Sequence, residues 1–197
     1  AGKTPSLLAG ADAGAVLSTV ATILQLAALL AVISPPTLHA MAGPLIGGGL
    51  AAVAYGAAFT VRAFRQPPPE DPADAGEAFS LASALIFAGT LAVILVVSAA
   101  LSAQFGQAGA AVGAAAGGLV DAHAAGISIA SLVASGHMAP DGAVVPILVG
   151  LTSNTATKLI FAFSGGQRAF AWRVIPGLVL VTAAAWLGWL IQAALGW

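Results

Sequence analysis

The sequence predicts an all-α fold, a polytopic bundle of transmembrane helices forming one integral membrane domain over residues 1–197. Composition, the continuity of the apolar runs and their length predict it. Of the 197 residues 59% are hydrophobic and only 7% charged, with a mean hydropathy of +1.00. A water-soluble domain carries about 25% charged residues because its surface must be solvated. So few ionisable groups cannot cover a globule of this length, and most of the surface must face lipid. The apolar runs are rich in Ala, Leu, Gly and Val and do not alternate with polar residues, which excludes a β-barrel. Helices remain as the spanning solution.

Six apolar segments are each long enough to cross a hydrocarbon core about 30 Å thick. The first covers about 13–34 and must stop at Pro35-Pro36. The second, about 40–64, contains Pro44 and Gly47-Gly48-Gly49, which predicts a kink or a close helix contact. A polar, Pro-rich loop at about 65–78 follows, kept in water by its prolines and like charges. The third segment runs over about 79–105 and the fourth over about 107–135. A tight turn at 136–142 leads to the fifth, about 143–163, closed by Ser164-Gly165-Gly166. The sixth covers about 170–195; Trp172, Trp186, Trp189 and Trp197 flank or line it, several of them expected at headgroup level.

The distribution of charge bears on the topology of these segments. If all six cross, the six basic residues divide equally: Lys3, Arg62 and Arg65 on one side, Lys158, Arg168 and Arg173 towards the other. That leaves no positive-inside bias. If the fourth segment enters and returns without crossing, all six fall on one side. Its run Gly113-Ala114-Ala115-Ala116-Gly117-Gly118 offers a place for the chain to break or re-enter, directly before an acidic residue. Interrupted segments of that kind mark binding sites in transporters. A straight Gly/Ala helix packed closely on a neighbour is the competing reading.

Several function classes are excluded. Net charge is −1 with no basic tract, so there is no footprint for nucleic acid. The absence of cysteine excludes disulfides and thiolate metal sites. Residues 1–12 do not read as a secretory signal. The chain begins at Ala1, with Met41 and Met138 its only methionines, which leaves room for a longer gene product. There is no phosphate loop, HExxH, Gly-x-Ser-x-Gly or Cys/His cluster, so no enzyme, cofactor or metal site is predicted. Ser128 and His123 are a weak nucleophile–base pair, because five residues set them about 140° apart on a helix.

The polar residues inside the fourth and fifth segments carry the functional expectation. Asp121, Ser128, Ser131 and Ser135 fall near one face of a helix, and His123 would point away from Asp121 unless the helix is distorted. In the fifth segment Gly150, Asn154 and Lys158 form an i, i+4, i+8 stripe, with Thr155 and Thr157 nearby. Asp or Lys at a helix centre costs about 2.5–3.5 kcal/mol against lipid, so these faces should look at protein or water. Asp121 and Lys158 lie almost equally far along the chain from Ala139, so an antiparallel pair would bring them to one depth, roughly 27–29 Å from the turn. An Asp121–Lys158 ion pair is expected there, with Asn154 bonding across near Ser128 or Gly126. Structurally, the pair would fasten two helices. Functionally, Asp121 would be a proton or cation site, with Asn154, Thr155 and Ser128 as oxygen ligands. Gln25 is expected to make one interhelical hydrogen bond, and His39 and His137 to be interfacial.

The run Gly118-Leu119-Val120-Asp121-Ala122-His123-Ala124 resembles a Gly-Leu-x-Asp-x-x-Ala signature, and Leu151-Thr152-Ser153-Asn154-Thr155-Ala156-Thr157-Lys158 resembles a Leu-Ser-Asn-Thr-x-x-Lys run. Gly165-Gly166-Gln167-Arg168 with Arg173, Phe79-Ser80-Leu81 and Val32-Ile33-Ser34-Pro35 fit the same pattern. The family is the bacterial membrane domain of unknown function commonly fused behind an MgtC/SapB-type domain. The resemblance implies a multi-pass protein of the bacterial cytoplasmic membrane. The chain departs from it in carrying Gln25 where members have a basic residue, and in lacking an earlier Ser-Ser-Thr-Ala helix. That departure points to a truncated chain or a divergent stand-alone version. Within the chain, Leu17-Ser18-Thr19-Val20-Ala21-Thr22 echoes residues 151–156, a hint of internal duplication.

The function expected from these observations is a small membrane transporter or channel-like protein for an ion or small solute. Its intramembrane polar site would comprise Asp121, His123, Ser128, Asn154, Thr155 and Lys158. The alternative is a non-transporting subunit that binds, assembles or regulates a larger membrane complex. The expected partners are the lipid bilayer, further copies of the chain or partner membrane subunits, and no cofactor is expected.

Overall fold

The protein is described by a computed structural model over residues 5–64, 81–164 and 168–196. Among these residues it is all-helical: α1 (Pro5–Ile33), α2 (Pro35–Ala40), α3 (Ala42–Phe64), α4 (Leu81–Val120), α5 (Ala122–Ala134), α6 (Pro140–Ser164) and α7 (Arg168–Leu195). The polar loop expected at 65–78 lies outside the described residues, as do Lys3, Arg65, Gly165, Gly166 and Gln167.

Helix ends follow the local chemistry. Pro35 and Pro36 stop α1 as expected and open α2, for which Ser34 is the N-cap: its Oγ accepts from Thr37 N at 3.4 Å and from Thr37 Oγ1 at 2.8 Å. Pro44 falls in the first turn of α3, where no intrahelical amide bond is lost, so it makes no kink. The glycines beside it do make the close contact expected of them. Gly43 lies against the Gly188 carbonyl of α7, and Gly47 against that of Ala184. Gln192 fastens this contact, its Oε1 accepting from Gly43 N at 2.6 Å. Gln25, by contrast, is exposed on α1 and makes no hydrogen bond among the described residues.

The longest helix is not straight. At Gly106 the backbone adopts φ 57 and ψ −134, a region essentially restricted to glycine. The chain reverses there, because Gly109 packs directly onto the Leu101 carbonyl. In a continuous helix those two residues would stand about 12 Å apart along the axis. Residues 107–120 therefore run back against residues 81–105.

A second break comes at Asp121, whose extended φ −156 and ψ 127 separates α4 from α5. This corrects the expected site of interruption. The run from Gly113 to Gly118 is helical throughout, since its small residues serve close packing: Gly118 lies on the Gly150 carbonyl of α6. The carboxylate after it, which can cap a new helix, ends the old one.

Contacts along α6 give the direction of each piece. The carbonyl of Ala114 lies by Gly150 and that of Leu119 bonds Thr157, so residues 107–120 run parallel to α6. The α5 helix returns antiparallel to α6, with Ala125 on Gly150, and ends at Gly136 (φ 76). There Gly136 N donates to Val133 O at 3.0 Å and His137 N to Leu132 O at 2.9 Å, a left-handed C-terminal cap. Residues 107–134 thus form a hairpin of two short helices with its tip at Asp121, beside Thr157 in the second half of α6. Leu26 and Leu30 of α1, Ile129 of α5, and Ile147 and Leu148 of α6 bury fully around it.

The outside is apolar. Leu24, Leu50, Val96, Phe161, Trp172 and Leu190 are all more than half exposed, whereas Ser34 and Thr37 are buried. Such extended apolar surface does not suit water. Among the described residues, three helices are long and apolar enough to cross a membrane, at Ala42–Phe59, Pro140–Phe163 and Ala171–Leu195. These features identify a membrane protein.

Candidate functional site

The hairpin tip holds the first cluster. As N-cap of α5, Asp121 Oδ1 accepts from His123 N at 3.2 Å and stands 2.7 Å from His123 Nδ1. One carboxylate oxygen therefore grips both the backbone and the ring of the same residue. The extended conformation at Asp121 is what allows this, since an unbroken helix would point the two side chains apart. His123 Nε2 is buried and has no hydrogen-bond partner among the described residues. The broken end of α4 is also tended: Thr157 Oγ1 donates to Leu119 O at 2.9 Å, satisfying a carbonyl that the lost helical turn leaves free.

The second cluster lies between α1, α6 and α7. Asn154, Thr155 and Lys158 of α6 meet Thr19 and Thr22 of α1 and Thr182 of α7 around a cavity of about 20 Å³. That volume accommodates about one water-sized species. Its walls are bonded to one another. Lys158 Nζ donates to Thr22 Oγ1 at 3.4 Å, Thr22 Oγ1 donates to Ser18 O at 2.8 Å, and the Thr155 and Thr182 hydroxyls are 2.9 Å apart. Trp186 Nε1 donates to Thr152 Oγ1 at 3.0 Å one turn earlier in α6.

The expected Asp121–Lys158 ion pair does not form. Asp121 takes the nearer His123, because the backbone break turns its carboxylate along α5, while Lys158 points across α6 into the cavity. Asn154 likewise faces the cavity and does not bond to Ser128 or Gly126; Gly126 is packed against Leu26. Ser128 is two turns up α5 from the tip and belongs to neither cluster.

Thr22, Thr19 and Thr182 are polar neighbours that the site residues named from sequence do not include. The echo between residues 17–22 and 151–156 is the signal for the first two, since both stretches line the same cavity. Nothing comparable marks Thr182, a lone hydroxyl in an apolar helix.

No curated protein and no solved structure matches the chain. Residues 1–166, most of its length, match the family described as a domain of unknown function, DUF4010, and the match includes no MgtC/SapB-type domain. The chain is a member of the DUF4010 family.

Proposed function

We propose that the protein is a small transporter or channel-like protein for an ion or small solute, in the bacterial cytoplasmic membrane. In this reading α1, α3, residues 81–105, α6 and α7 cross the bilayer, and residues 107–134 enter it and return. The observation that carries the reading is the position of Asp121. A charged residue breaks a helix beside Thr157, within the apolar stretch Pro140–Phe163 of α6, where hydrocarbon would surround it if it had no functional environment. Discontinuous helices are the usual way to bring backbone carbonyls and amides to a membrane-embedded ion or solute site. The arrangement also supports one face that collects Arg62 near the end of α3 and Arg168 and Arg173 near the start of α7, which the positive-inside rule makes cytoplasmic.

A second reading, a non-transporting subunit of a larger complex, is favoured by the cavity, which is small and lined by groups bonded to each other. Two measurements separate the readings. Vesicles containing the purified protein should pass at least one of a panel of alkali-metal, ammonium and divalent salts and small neutral solutes faster than protein-free vesicles, followed by light scattering. Purification in mild detergent should yield the chain alone or with its own copies. No flux in any condition, together with a stoichiometric foreign membrane partner, would favour the subunit.

A further inference from the structure

Resting on the transport reading of the same site, we propose that the moving or coupling ion is a proton, carried on Nε2 of His123 and balanced by Asp121. The chemistry starts from the 2.7 Å contact between His123 Nδ1 and Asp121 Oδ1. A carboxylate only accepts hydrogen bonds, so Nδ1 is the nitrogen bearing hydrogen. In the neutral ring Nε2 then keeps its lone pair. That atom is buried and without a hydrogen-bond partner among the described residues, an arrangement native proteins rarely leave unexplained. It is an acceptor prepared for something that comes and goes.

A proton fits it. Transfer from a hydronium ion to the Nε2 lone pair forms one N–H bond and breaks one O–H bond, whose electron pair stays on the water released. The imidazolium so formed is neutralised by the carboxylate already bonded to the ring, so the pair passes from a net charge of −1 to 0. A neutral pair is the easier one to hold in hydrocarbon. On release the cycle returns to the carboxylate and neutral imidazole. Asp121 acts as a positioning residue, fixing the tautomer and supplying the counter-charge.

The surroundings keep this exchange local. Of the elements packed on α5, α4 has no ionisable residue. On α6, Lys158 faces the cavity, bonded to Thr22, and Asp141 is in the first turn, at the far end from the tip. On α1, Asp12 precedes the Thr22 contact by nearly three turns. His39 of α2 belongs to the end of the bundle that holds Gln192, whose Nε2 donates to its carbonyl at 3.4 Å. Among the described residues, no ionisable side chain on these elements is bonded to the Asp121–His123 pair.

The chain has three histidines, so the variant H39Q/H137Q isolates His123. With ¹⁵N-labelled imidazole in lipid bilayers, solid-state NMR should show Nδ1 protonated and Nε2 bare at high pH. On acidification Nε2 should gain a hydrogen in one step. If the double variant does not fold, the difference between wild type and His123→Gln gives the same signal. Hydrogen on Nε2 at every pH, no titration at all, or a change seen only on adding a divalent metal would overturn the proposal. The flux measurement is independent: a titrating ring in vesicles that pass nothing removes the transport reading and leaves the proton site. Flux without titration does the reverse.

Discussion

Asparagine in place of Asp121 should bring flux through reconstituted vesicles down to that of vesicles without protein, while the fold survives. The two halves of this expectation rest on separable roles of one side chain. As N-cap of α5, Asp121 needs only an acceptor oxygen, and Asn caps helices about as well as Asp. Its Oδ1 can still accept from His123 N, so the tip should keep its shape. What Asn lacks is charge. A hydrogen bond to a charged group contributes about 1.5–3 kcal/mol, which on the scale of about 1.4 kcal/mol per tenfold makes a loss of at least about tenfold the minimum for an ion site built on this carboxylate. Circular dichroism and gel filtration of the variant establish that it is folded. Wild-type flux from folded D121N protein would remove Asp121 from the mechanism.

Leucine at Gly118 should cost about 3 kcal/mol of stability and separate the hairpin from α6. The residue lies on the Gly150 carbonyl with no room for a Cβ, and the opposing atoms are backbone, which cannot rotate away. Overpacking usually costs about 1–3 kcal/mol, and this site belongs at the upper end because the two helices must move apart. Membrane helices depend on such small-residue contacts more than soluble ones do, since lipid gives little hydrophobic drive for association. Val112, on the same half-helix, is 58% exposed, so Val112→Leu should be neutral. Unfolding by added dodecyl sulfate should show G118L giving way at a clearly lower detergent fraction than wild type and V112L. Coincident curves for all three would mean that the hairpin does not dock on α6 through Gly118.

Helices, their order and most of their ends were legible in the sequence because they follow from composition and from proline and glycine. Pro35-Pro36 ended a helix, and the gap between the third and fourth segments fell at Gly106, where the backbone does reverse. The interruption of the fourth segment was legible in kind and misplaced in position. A Gly/Ala run permits either a break or close packing, and the deciding contact with Gly150 is long-range. Pairing was less legible still. Equal depth made Asp121 and Lys158 natural partners, yet a single extended residue turned the carboxylate onto His123, which straight-helix geometry had set on the opposite face. Periodicity carries no information across a break. The cavity shared by Lys158 and Thr22 depends on how α1 docks, visible beforehand only as the weak echo of one Thr-containing stretch in another.

The sidedness of the hairpin is the most direct test of the account, and the absence of native cysteine makes it clean. Single cysteines at Gln104, His137 and Phe163, each an exposed position, can be labelled in sealed vesicles with a membrane-impermeant maleimide. Q104C and H137C should react from the same face, and F163C from the other. Labelling of Q104C and H137C from opposite faces would mean that residues 107–134 cross the bilayer, and the site at Asp121 would have to be abandoned as the tip of a returning hairpin.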